Sequence, residues 1–195
     1  MKNKKNKREA IIFSALEVFE RDGFHKAKVE EIAKGANVGK GTIYEYFKSK
    51  KDLFYQMVKS IMSMYFEKIR NVAEEDIDPI IRFENLIKFQ LGAERRHGNL
   101  GHVIHIEAIK SGIGKELKEI YIEFRSKQIK LIQAIINKGI ESSVFKEVDT
   151  YMAALFFLGG VNQFVLDINH INEDKNTEEL EIKKLLDTFL KGVMR

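Results

Sequence analysis

Val29-Glu30-Glu31-Ile32-Ala33-Lys34-Gly35-Ala36-Asn37-Val38-Gly39-Lys40-Gly41-Thr42-Ile43-Tyr44 reads as two short helices joined by a tight turn. Ile32, Val38 and Ile43 fall where the two helices bury side chains against each other. Ala33 is small where helices must cross closely. Asn37 stands where the turn needs a left-handed backbone, which Asn tolerates best after Gly. Gly39 is an acceptable N-cap and leaves backbone amides open to an anion. The pattern predicts a helix-turn-helix, whose second helix lies in the DNA major groove with its leading residues at base edges.

Upstream, Ile12, Ala15, Leu16 and Phe19 share one helical face, and Gly23 follows as a left-handed stop. Short helices are expected over 29–35 and 40–47. Downstream, Ser49 and Asp52 form a capping pair that opens a long helix to about residue 73. Asp78 and Pro79 open the next helix, which carries Phe83, Leu86, Ile87, Phe89 and Gln90. Residues 97–101 read as a loop and 102–110 as a short helix. A long helix is expected over 114–138, with Leu117, Ile120, Tyr121, Phe124, Leu131 and Ile132 among its apolar positions. Asp149 caps a helix that is apolar nearly all round, from Met152 and Ala153 through Phe157 to Phe164 and Val165. Such a helix is buried on most sides. Asn176 with Glu179 starts the last helix, carrying Ile182, Leu185, Leu186 and Phe189. The expectation is an all-α fold of about nine helices, read from 3.6-residue periodicity. A three-helix head, residues 1–49, precedes a long connector helix and an all-helical body, the two together forming residues 50–195.

Charge is unevenly placed. Residues 1–51 hold 13 Lys and Arg against 7 Asp and Glu, and the remaining 144 hold 20 against 22. The basic end suits a polyanion, since neutralising phosphates supplies sequence-independent affinity. The chain has one Pro and no Cys. Scarce proline favours long helices. Without cysteine there are no disulfides, thiolate metal sites or Cys nucleophiles, which fits a reducing, cytoplasmic setting. No signal peptide is visible, because Ser14 and Glu17 interrupt the apolar stretch after the basic start. The longest apolar run, 153–161, is far shorter than the ~20 residues that span a bilayer.

Residues 8–53 resemble the DNA-binding head of the tetracycline-repressor (TetR) family. The resemblance rests on Ala15, Phe19, Gly23, Ile32-Ala33, Gly41-Thr42-Ile43-Tyr44, Tyr46-Phe47 and Lys50. It implies that Thr42, Tyr44 and Tyr46 offer hydroxyls to phosphates or bases, and that Lys50 clamps a backbone phosphate. It places Gly39, Lys40 and Gly41 at the reading end. Lys40 is the one long donor there, and Lys bonds guanine O6 and N7 in the major groove. Lys28 is expected to add a phosphate contact. The chain departs from the family pattern at Asn37, Gly39 and Lys28, where Gly, Ser and Thr are usual. Those departures bear on operator sequence more than on fold. Phe47 is expected in the core.

The resemblance further implies a homodimer formed by the last two helices, with Phe157, Gly160, Val161, Phe164, Leu186 and Phe189 as interface candidates. It implies a repressor on palindromic double-stranded operator DNA, released by a small apolar effector. Candidate pocket residues are Phe66, Phe83, Phe89, Gln90, His105, Tyr121, Phe124, Gln163 and Phe164. The mid-helix pair Gly159-Gly160 costs about 1 kcal/mol per residue relative to Ala, which close helix approach offsets. No cofactor is expected. Spacings among His97, His102, His105 and Glu107, and between Asp167 and His170, match no metal motif, so no metal site is expected. Glu30-Glu31, Glu74-Glu75 and Glu178-Glu179 read as solvated helix faces. No catalytic motif appears, so an enzyme is disfavoured. The alternatives are an activator of the same family or a helical ligand-binding protein without a DNA function. A membrane-surface bundle is disfavoured because Glu9, Glu17, Glu20 and Asp22 on the first helix would meet anionic lipid.

Overall fold

The computed structural model describes the backbone of residues 2–110, 114–171 and 175–194, and the side chains of 6–98, 104, 114–168 and 178–194. The described residues form eight helices and no strand: α1 (Lys2–Lys26), α2 (Val29–Gly35), α3 (Lys40–Tyr46), α4 (Lys50–Glu74), α5 (Pro79–Lys110), α6 (Gly114–Glu141), α7 (Thr150–Ile171) and α8 (Lys175–Val193). The all-α expectation therefore holds, with eight helices in place of nine. The difference lies at His97. Only that residue leaves helical geometry (φ −140°, ψ 20°), so the expected loop over 97–101 is a kink inside α5. One non-helical residue turns the chain without the run of polar and Gly residues having to uncoil.

Local signals elsewhere act as their chemistry dictates. Gly23 takes φ 70°, ψ 169° and kinks α1 before its last turn. The Asp52 amide donates to Ser49 Oγ (3.1 Å), while Asp52 Oδ2 accepts from the Lys48 amide (2.8 Å). Asp78 Oδ1 caps α5 through the Ile80 amide (2.7 Å), and Asp149 Oδ1 caps α7 through the amides of Tyr151 and Met152 (both 3.0 Å).

The chain packs as two compact units, Met1–Met64 with His97–Ile122, and Tyr65–Arg96 with Glu123–Arg195. The first unit is built on Ile11, Ala15 and Phe19 of α1, Ile32 of α2, Ile43 of α3, and Leu53, Phe54 and Met57 of α4. Phe54 sits edge-on to Phe19 with centroids 5.1 Å apart. Leu117 of α6 is buried in the same cluster. Ser14 is buried too, and its hydroxyl donates to the Ile32 carbonyl (2.9 Å).

The second unit centres on Phe83, whose ring lies 4.7 Å from Phe157 and 5.2 Å from Phe189. Phe145 follows α6 through a turn in which Ser143 has φ 62°, and its ring lies over Gly139. By length and composition, 150–168 of α7 is apolar enough to cross a membrane. One side of it, including Ala154, Phe157, Val161 and Val165, is buried in this unit's core.

Two glycines carry tight contacts. A methyl at Gly35 would strike the Ser14 side chain, and one at Gly139 would strike the Phe145 ring. Helix propensity favours Ala over Gly by up to about 1 kcal/mol, whereas overpacking costs about 1–3 kcal/mol. The clash wins most clearly at Gly139, where a rigid ring is the obstacle. Gly139→Ala is expected to lower Tm by about 5 °C, measured by circular dichroism. Gly35→Ala is expected to lower it by about 2 °C, because Ser14 can yield only by giving up its bond to Ile32.

Candidate nucleic-acid interface

α2 ends at the C-cap Ala36, and the Val38 amide closes the turn on the Ala33 carbonyl (3.0 Å). Between them Asn37 has φ 52°, the left-handed conformation expected of it. Gly39 is the extended N-cap of α3 (φ −72°, ψ 151°), and its carbonyl accepts from the Thr42 amide (3.0 Å). A side-chain carbon at Gly39 would meet nothing closer than Thr42 Oγ1, at 4.0 Å. The site would therefore admit the Ser usual in similar heads.

α3 has two unlike faces. Ile43 and, just after the helix, Phe47 are each 1% exposed and belong to the core of the first unit. Lys40, Gly41 and Tyr44 are exposed, with Tyr44 at 46%. Thr42 and Tyr46 are half-buried, and Tyr46 tilts against Phe47 with centroids 6.3 Å apart. Lys28 is exposed at the start of α2. Lys50 opens α4, where its ammonium donates to the His25 carbonyl (3.1 Å) and lies 4.9 Å from the Phe24 ring centroid. The structure thus gathers all eight sequence-predicted residues into the first unit, around α3.

Two further side chains organise this surface. The Arg8 guanidinium lies 5.5 Å from the Phe47 ring centroid and donates to Gln56 Oε1 (3.2 Å), bracing the end of α3 against α1 and α4. Glu30 Oε1 accepts from Lys40 Nζ at 2.6 Å. That bond holds the Lys40 ammonium above its ordinary range and the Glu30 carboxyl below its own. Neither role shows in a linear motif, because each joins residues of different helices.

The candidate effector residues are more scattered. Phe89 and Gln90 line a nearly closed cleft of about 10 Å³ in the second unit with Ile69, Leu86, Gln128, Ile132, Phe157 and Leu158. Gln90 Nε2 donates to Asn162 Oδ1. Phe124 packs against Tyr65 (5.8 Å) and Phe66 (6.4 Å). Burial of Tyr65 pushes its hydroxyl pKa up to about 12. Phe83 is fully buried. Gln163 is exposed and donates to Asp167 Oδ1 (2.9 Å), and Phe164 is half-buried. Tyr121 belongs to the first unit and is 54% exposed. His105 lies outside the described side chains, as do His102, Glu107 and His170.

Of the interface candidates, Phe157, Val161 and Leu186 are buried in the core of their own unit. Phe157 and Val161 also border, with Gly160 and Phe189, an open apolar groove of about 510 Å³ between α7 and α8, which Met152, Phe156 and Leu185 line as well. Phe164 is half-buried on α7. Phe156, not among the interface candidates, is 73% exposed.

Comparison with known proteins agrees with this architecture. Residues 11–57 match the family model of bacterial regulatory proteins, tetR family. The chain is 30% identical over 166 residues to the fatty acid metabolism regulator protein of Bacillus subtilis, covering 85% of this chain and 84% of that one. It is 25% identical over 142 residues to the transcriptional repressor KstR2 of Mycobacterium tuberculosis, covering 72% and 70%. The crystal structure of the regulator FadR from Bacillus subtilis in complex with stearoyl-CoA superposes with a TM-score of 0.72 at 26% identity, covering 94% of this chain and 98% of that one. With its helix-turn-helix, its all-helical fold and these relatives, the chain belongs to the TetR family of bacterial transcriptional regulators.

Proposed function

We propose that the chain is a homodimeric repressor that holds a palindromic operator through α3 and is released by a fatty acyl-CoA. The observation that carries the DNA half is the two-faced α3: Ile43 and Phe47 fasten it to the core, while Lys40, Gly41 and Tyr44 face outward. Residues 1–49 serve as the DNA-binding domain, and residues 50–195 serve effector binding and dimerisation.

On DNA, α3 enters the major groove with Lys40 and Gly41 at base edges. Thr42, Tyr44 and Tyr46 direct hydroxyls to the backbone, and the Gly39 amide meets a phosphate. Lys50 and Lys28 neutralise phosphates. Paired heads double these contacts and match a two-fold operator.

The dimer is favoured by the groove between α7 and α8. Phe156 stands beside it, 73% exposed, and Gly159 has nothing within 4 Å of where a side chain would begin. Neither side of Gly159-Gly160 is crowded within the protomer, so a reason for small residues there lies outside it. A second copy laying α7 across the groove supplies that reason and covers Phe156.

The effector reading rests on the similarity to a regulator crystallised with stearoyl-CoA, and the second unit's narrow cleft is where an acyl chain would enter. Its walls are Ile69, Leu86, Phe89, Ile132, Phe157 and Leu158, with the amides of Gln90 and Gln128 as the polar groups. These apolar walls enclose only about 10 Å³, so an acyl chain enters only if the helices around the cleft part. The similarity to a regulator crystallised with stearoyl-CoA points to the same class. Release requires an effector that prefers the non-binding arrangement by several kcal/mol.

Two measurements check this. Lys50→Ala is expected to weaken operator binding and to reduce the slope of log affinity against log salt by about one. The dimer should persist in sedimentation. An unchanged slope would remove Lys50 from the phosphate contacts. Stearoyl-CoA titrated into the protein–operator complex is expected to dissociate it, with short-chain acyl-CoAs less effective. Indifference to every chain length would reject the effector class.

A further inference from the structure

We infer that Glu30 is a specificity-determining residue of the head: it orients the reading lysine, Lys40, toward guanine and withholds its charge from DNA at large. This inference rests on the proposed placement of Lys40 at base edges.

Glu30 and Glu31 lie side by side at the start of α2, and each engages a cation from a different helix. Glu31 accepts from Arg21 of α1, which also grips Asp22. That arrangement braces the scaffold. Glu30 accepts from Lys40 at the start of α3, 2.6 Å away. Both side chains of this second pair stay open to solvent, Lys40 at 53% and Glu30 at 60%, so DNA can reach them.

The chemistry of the ammonium gives the pair its consequence. A lysine has three N–H donors and a flexible four-carbon stem. Glu30 occupies one donor and limits the stem. Two donors remain, and guanine presents two major-groove acceptors, O6 and N7. The carboxylate also cancels the lysine's charge. Paired with Glu30, Lys40 releases fewer counterions when the head settles on arbitrary duplex, and so adds less to non-specific affinity. Lys28 also acts on the Glu30 carboxyl, but only by its charge, since the hydrogen bond belongs to Lys40.

The test compares three single variants with the parent. The probes are an operator selected from random duplex by the parent protein and a random duplex of equal length, each over a salt series. Glu30→Gln is expected to tighten random-duplex binding about threefold and to steepen its salt slope by about one, as Lys40 turns to phosphate. The operator gains less, so the operator-to-random ratio falls about threefold or more. Glu45→Gln removes the same charge from exposed α3 without touching Lys40, and is expected to leave the ratio unchanged. Lys40→Ala is expected to relax preference at guanine positions. If Lys40→Ala relaxes preference but Glu30→Gln keeps the parental ratio, or Glu45→Gln lowers it equally, the inference fails alone. If Lys40→Ala leaves preference intact, the base-edge reading fails and takes the inference with it.

Discussion

The outward face of α3 exists because its other face is buried. The helix has seven residues and includes Gly41, too short and too weakly helical to persist alone in water. Ile43 and Phe47, each 1% exposed, tie it to α1 and α4, and the Arg8 guanidinium of α1 lies over the Phe47 ring. Because those anchors lie on one side, Lys40, Gly41 and Tyr44 have only the solvent side to occupy. Recognition chemistry on this head is therefore set by core packing. Loosening Phe47 would misplace the proposed reading residues without altering any of them.

How much of this is legible in the sequence depends on the range of the forces involved. Local backbone chemistry reads well. Asn37 adopts the left-handed turn, Ser49 and Asp52 cap α4, and Asp149 caps α7, since each of these devices spans a few residues. His97 shows the limit. Gly98, Asn99 and Gly101 permit a loop but do not compel one, and α5 continues past a single kinked residue. The bond between Glu30 and Lys40 and the seating of Lys50 on the His25 carbonyl join different helices, so they emerge only once the helices are placed.

The body is harder to read for a different reason. α7 is apolar on nearly every side, so periodicity identifies a helix without saying which side faces in. The structure turns Phe157 and Val161 inward and leaves Phe156, one residue away, 73% exposed. The same difficulty affects the candidate effector residues, because an aromatic that lines a cleft and one that fills a core look alike in sequence. Phe89 lines the cleft, while Phe83 fills the core. Polar neighbours separate the two cases better: Gln90 and Gln128 mark the cleft.

The central claim, that α3 occupies the major groove, is tested most directly by dimethyl sulfate protection on a selected operator. The reagent methylates guanine N7 in the major groove and adenine N3 in the minor groove, so one experiment reports on both. The account predicts protection of guanine N7 in two half-sites about one helical turn apart, or a multiple of that spacing, with adenine N3 in those half-sites still reactive. Protection confined to adenine N3, or none on DNA that the protein demonstrably binds, would contradict it.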